Sequence, residues 1–230
     1  MGHKVNPLLF RLGYTVNWTS RWFGDKNFPE LLKEDFGIRK ILMENLKKAA
    51  VEKIIIDRAS NVVTISILSA RPGVIIGRGG TGIEDLRKML KTKLGLKKEV
   101  KLDVLEVKDP ESSAAIIGQE IASQIERRIG WKRALKRMLE TVISKKGVQG
   151  IKIAISGRLD GAEMGRREWL AKGKIPLHTL RSNIDFTRAT AFTTYGAVGI
   201  KVWVYKGEVF DEKAEAKKSK KINSTSTPIK

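Results

Sequence analysis

The residues able to do chemistry in this 230-residue chain are mostly glycines and cations. The run "VIIGRGGTGI" brings Gly77, Arg78, Gly79 and Gly80 together, with Gly82 close behind. Glycines spaced this way let a backbone approach a phosphate, because no Cβ stands between them and positive φ is open to them. A second group, Arg127, Arg128, Lys132, Arg133, Lys136 and Arg137, puts six basic residues and no acid between positions 127 and 137. A solvated charged face normally mixes signs, so a run of one sign points to a polyanion. Lys4 and Arg11 near the amino terminus, and Arg158, Arg166, Arg167, Arg181 and Arg188 further on, extend the same theme. His178, in "IPLHTL", is one of two histidines. No nucleophile and carboxylate are grouped with it, so it reads as a hydrogen-bonding or RNA-stacking residue and not a catalyst. Cysteine is absent, which excludes disulfides, thiolate metal sites and cysteine nucleophiles. No catalytic residue, metal ligand or cofactor is therefore assigned.

The charge balance agrees. Lys and Arg number 45 against 25 acids, a formal charge of +20, which self-repels unless a polyanion neutralises it. Nucleic acid is the first candidate partner and an anionic membrane surface the second. No apolar run approaches the roughly 18 residues that span a bilayer, and no membrane or small-molecule partner is expected. At 41% hydrophobic the chain can build a core. The exception is 211–230, "DEKAEAKKSKKINSTSTPIK", which lacks aromatics and reads as a disordered basic tail.

Four regions must position these groups. Residues 1–24 carry Lys4, Arg11 and Arg21 interleaved with Phe10, Tyr14, Trp18, Trp22 and Phe23. Pro7, Gly13 and Gly24 break any amphipathic period, which argues against a transit peptide and for an extended RNA-binding arm. From 25 to 109 the patterns run helix, strand, strand, helix, helix, strand. Residues 28–50 are helical in period with Gly37 as a break between two helices. The β-branched runs 52–59 and 62–68 flank a Ser60-Asn61 turn. Pro72 starts a short helix, 81–95 forms a second capped by Gly95, and 99–107 alternates as a strand. Residues 110–210 open with a helix capped by Ser112 or Ser113, with Ile117, Ile121, Ile125 and Ile129 on one stripe. A second helix over 131–146 buries Trp131, Leu135, Leu139 and Val142. Strands follow at 150–159, 163–170, 185–195 and 199–208, giving an α+β layer of two helices on an antiparallel sheet.

Two motif readings compete at the glycine loop. Gly77, Gly79 and Gly82 satisfy the dinucleotide fingerprint, which requires a strand just before it. "GRGG" also satisfies G-x-x-G between two helices, the loop that clamps nucleic-acid backbone in KH domains, and the order of elements resembles the type II module.

Several blocks together, "MGHKVNP…RLG", "SARPGVIIGRGG", "SGRLDGAE", "PLHTLRSNIDF" and "TTYGAVGIKVWVYKGE", resemble the bacterial-type family of small ribosomal subunit protein three over roughly 1–210. The resemblance implies a type II KH domain followed by a carboxy-terminal α/β domain, in the head of the cytoplasmic small subunit; an organellar ribosome is the lesser alternative. It implies binding to small-subunit rRNA, small-subunit proteins ten and fourteen as neighbours, and a place on the mRNA entry channel. There Lys132, Arg133 and Lys136 would face incoming mRNA and assist its unwinding. One departure is Leu8-Leu9-Phe10, more apolar than the arm of such a protein should be. The competing functions are a nucleotide-dependent enzyme using Gly77–Gly82 and a KH regulator acting off the ribosome.

Overall fold

Apolar side chains at helical and strand spacing drive two separate collapses along the chain. The computed structural model describes residues 4–25, 27–59, 61–94 and 98–210. The tail from 211, the Gly95 cap and Ser60 of the first turn lie outside them.

The first unit holds α2 (Phe28–Asn45), β2 (Val51–Arg58), β3 (Val62–Ser69), α3 (Pro72–Ile76), α4 (Thr81–Leu94) and β4 (Glu99–Glu106), preceded by α1 (Pro7–Phe10) and β1 (Ser20–Arg21). The strands form one sheet in the order β1-β2-β3-β4, with β2 and β3 antiparallel and β4 parallel to β3. Ile54, Ile56, Val63, Ile65 and Ile67 alternate inward and meet Ile38, Leu42 and Leu90 of the covering helices. Each such fully buried aliphatic contributes roughly 1.5–3 kcal/mol.

Gly37 does not break α2, which runs unbroken through it. A Cβ there would stand 2.6 Å from Leu94 Cδ2, so the glycine lets α4 close onto α2. Its conformational cost, about 1 kcal/mol in a helix interior, is offset by that packing.

The second unit comprises α5 (Ala114–Glu126), α6 (Trp131–Ile143), β5 (Gly150–Gly157), β6 (Arg166–Gly173), β7 (Ser182–Thr193) and β8 (Gly196–Glu208). Its antiparallel sheet runs β6-β5-β8-β7. Ile151, Ile153, Ile155, Ile200, Val202 and Val204 face α5 and α6 across the larger core. Ser113 stands at the N-cap position of α5, as expected, but its side chain makes no capping bond. The Ala114 N–H donates to Asp185 Oδ2 at 2.9 Å, while the buried Ser113 hydroxyl has no partner. A carboxylate 71 positions away takes the capping role. α5 stops at Glu126, so Ile129 lies in the linker, partly exposed, and not on the helix stripe. β6 begins at Arg166 and not near Glu163, because Asp160 and Gly161 both take positive φ and hold the chain in a turn beforehand.

Residues 4–24 are not a free arm. β1 pairs in parallel with β2, and α1 packs on the second sheet with Leu8 against an apolar cluster that includes Ile184, Phe186, Trp203 and Tyr205. That packing accounts for Leu8 of the apolar Leu8-Leu9-Phe10 segment, while Leu9 and Phe10 remain exposed. Gln119 of α5 donates to the Val51 carbonyl at 2.7 Å, a direct bond between the two units.

Candidate nucleic-acid interface

Pro72 sets the first turn of α3, which ends at Gly77 with φ 71°. Gly79 and Gly80 follow at φ 61° and 83°, and a Cβ at either would meet no atom within 4 Å. These glycines serve backbone conformation, and the space above them is open. Gly82 does the opposite. A Cβ on it would lie 2.5 Å from the Ile75 carbonyl, so it lets α4 start hard against α3. Arg78 is exposed at the tip, and its carbonyl accepts from the Thr81 hydroxyl at 3.0 Å. The element before the loop is a helix and not a strand, which removes the context the dinucleotide fingerprint needs.

α6 is strongly two-faced. Trp131, Leu135, Met138, Leu139 and Val142 are buried, whereas Lys132, Arg133, Lys136 and Arg137 are exposed. Arg127 and Arg128 precede it in the linker, Arg128 at φ 62°. None of these six forms an ion pair among the described residues. Two cations lie over the buried Trp131 ring, Lys132 Nζ at 5.4 Å and the Arg166 guanidinium at 5.9 Å from its centroid. At the start of α6 a cleft of about 480 Å³ opens between Trp131, Arg158, Asp160, Phe192 and Tyr195.

The other cations differ in availability. Arg158 is exposed, donates to the Ala162 carbonyl at 2.9 Å and lies 5.9 Å from the Tyr195 ring. Arg166 is 3.7 Å from Glu168, and Arg181 is tied to Glu208 at 2.6 Å. Lys4, Arg167 and Arg188 are exposed with no carboxylate partner among the described residues.

Arg11 corrects the sequence reading. It is 0% exposed and cannot reach RNA from this conformation. Its Nη1 donates to the Pro7 carbonyl at 2.9 Å, and its Nη2 donates to Leu177 at 3.0 Å and Thr179 at 2.7 Å. Burial lowers its pKa. The guanidinium is a staple between the amino-terminal segment and the loop before β7. It pins the peptide units on both sides of His178, which is itself exposed.

Asp35 was missed altogether. Only 1% exposed, it accepts from Ser20 Oγ at 2.6 Å, Trp22 Nε1 at 2.8 Å and Arg58 Nε at 2.9 Å. It thus ties the amino-terminal segment to α2 and β2. Nothing in its local sequence marks it, since it occupies an ordinary inward position of an amphipathic helix.

The two units match known families separately. Residues 37–112 match the KH domain, and residues 121–204 match "Ribosomal protein S3, C-terminal domain". Over 216 residues the chain is 49% identical to small ribosomal subunit protein uS3 of Desulfitobacterium hafniense, covering 94% of this chain and 97% of that one. The protein of the same name from Maridesulfovibrio salexigens is 49% identical over 94% of this chain and its own whole length. That from Legionella pneumophila is 47% identical over 95% and 99%.

The chain belongs to the uS3 family. It is therefore a structural, RNA-binding component of the small ribosomal subunit, cytoplasmic as in these bacterial relatives, and not an enzyme. The α-β-β-α-α-β order of the first unit is the KH arrangement expected from the sequence.

Proposed function

We propose that this subunit protein binds small-subunit rRNA in the head and lines the mRNA entry channel, where it positions mRNA and helps to unwind it. The observation that carries this reading is α6. Its apolar face is locked into the core, so Lys132, Arg133, Lys136 and Arg137 project from a rigid rod and form no ion pair among the described residues. Cations held this way grip successive phosphates without reading bases, which suits a channel that must pass every message. A strand gripped after opening is less free to re-pair, and this biases a downstream hairpin toward the unwound form. Arg127 and Arg128 extend the positive surface toward α5. The Gly77–Gly80 loop, with Lys4, Arg158, Arg166, Arg167, His178, Arg181 and Arg188, supplies the rRNA contacts in this reading. Phe28, Leu32, Phe36 and Met43 leave an apolar face exposed on α2, which we assign to protein neighbours, small-subunit proteins ten and fourteen.

The test is translation by ribosomes carrying Lys132→Ala, Arg133→Ala and Lys136→Ala together. None of the three is buried, so the fold should survive. Messages with a stable hairpin should slow more than unstructured ones. Equal slowing of both would remove the unwinding role.

A further inference from the structure

The sheet of the second unit has a second face, turned away from α5 and α6. Its strand register lays out a transverse row. Trp169 of β6 is opposite Ala154 of β5, Ala154 is opposite Lys201 of β8, and Lys201 is opposite Arg188 of β7. The next row runs Ala171, Lys152, Trp203, Phe186, and the row on the other side includes Arg167. Leu8, Ile175 and Leu177 cover part of this face around Tyr205 and Ile184. Trp169 remains 57% exposed.

Three features of this patch are unfavourable in the chain alone. Lys201 and Arg188 are direct cross-strand neighbours of like charge, an arrangement that destabilises a sheet. Among the described residues neither they nor Lys152 and Arg167 have a carboxylate partner within ion-pair distance. Lys152 lies 4.5 Å from the Trp169 ring and 5.9 Å from that of Trp203, and its pKa is lowered by burial and then by the charges of Lys4 and Arg167. A largely exposed indole beside cations without carboxylate partners on an antiparallel sheet combines a stacking surface with phosphate ligands.

We propose that this open sheet face is a third RNA-binding surface, distinct from α6 and the glycine loop, in which Trp169 stacks on an unpaired base while Lys201, together with the Arg188 and Arg167 already assigned to rRNA, holds the adjoining phosphates. The α6 stripe belongs to the other side of the sheet, so one short strand cannot occupy both. The proposal rests on the ribosomal RNA-binding reading for the class of its ligand, and it is independent of the mRNA assignment.

The experiment uses the full chain with the other two surfaces silenced, K132A/R133A/K136A on α6 and R78D/G79D at the glycine loop. The probes are a labelled single-stranded RNA dodecamer and a blunt RNA duplex of the same sequence, followed by fluorescence anisotropy over a salt series. The silenced protein should still bind the single strand. Adding Trp169→Ala should weaken that binding roughly 5- to 100-fold, leave the duplex within about twofold, and spare the unfolding midpoint because Trp169 is largely exposed. Trp169→Phe should retain most of the affinity, since a ring remains. Lys201→Ala with Arg188→Ala should lower the salt slope for single strands by roughly 1.4, two contacts at about 0.7 each, and raise the unfolding midpoint by removing the like-charge pair. The proposal is overturned if the silenced protein binds no single strand, or if Trp169→Ala binds it within twofold of its parent. Equal losses on single strand and duplex would also overturn it. Unchanged RNA binding with impaired incorporation into subunits would make the patch a protein-docking surface instead, and overturn it as well. The mRNA reading fails separately, through the translation assay on the α6 variant.

Discussion

Arg11→Ala separates a staple from an RNA ligand. In the folded chain the guanidinium donates to four carbonyls, those of Pro7, Leu177 and Thr179 at 2.9, 3.0 and 2.7 Å and that of Pro176 at a longer 3.4 Å. Hydrogen bonds to a charged group contribute about 1.5–3 kcal/mol each, so the three short ones supply roughly 4.5–9 kcal/mol. Burying the cation costs several kcal/mol against this, which leaves a net stabilisation of about 3 kcal/mol. The loss should be local, because α1 and the 174–180 loop can detach while both cores stay folded. The amides to watch are Gly13, which donates to the Val16 carbonyl, and Ser182, which donates to that of Thr179. At about 1.4 kcal/mol per decade, their hydrogen exchange should quicken roughly 100-fold, with amides of β3 and β8 little changed. Arg11→Lys, which keeps the charge without the fork, should fall between the two. If exchange at these amides is unchanged and the salt dependence of rRNA binding instead falls by about one phosphate contact, Arg11 is a ligand and the staple is wrong.

Asp35→Ala should destabilise the first unit by about 3–5 kcal/mol, because it strands the almost fully buried Arg58 guanidinium, and chemical denaturation followed by tryptophan fluorescence would measure it. A loss under 1 kcal/mol would mean that Arg58 finds water or Glu34 sufficient. Arg78→Asp with Gly79→Asp should cost only about 1–2 kcal/mol at the positive φ of Gly79, where a Cβ meets nothing, and so leave circular dichroism unchanged, yet weaken binding of the full chain to single-stranded RNA. Unaltered binding would reduce the loop to a structural turn.

Much of this protein was legible before folding was considered. Strand runs such as 62–68, the α6 face and the G-x-x-G loop are written in near-neighbour periodicity, and a helix or strand imposes its period on whichever residues form it. Net charge is likewise additive and needs no fold. The misreadings have one cause. Gly37 looked like a break because propensity is local, while its compensation, Leu94, lies on another helix. Ser113 looked like the capping side chain because the competing carboxylate, Asp185, is on β7. Arg11 looked like one more RNA ligand because a cation in a basic arm is indistinguishable from its neighbours until the carbonyls of Leu177 and Thr179 close around it, 166 and 168 positions away. The row Trp169, Ala154, Lys201, Arg188 exists only once strand register is set. A sequence states which residues carry charge and which must be buried. Only the tertiary structure decides which charges are consumed inside the protein and which are left for RNA, because that depends on partners brought together by chain topology.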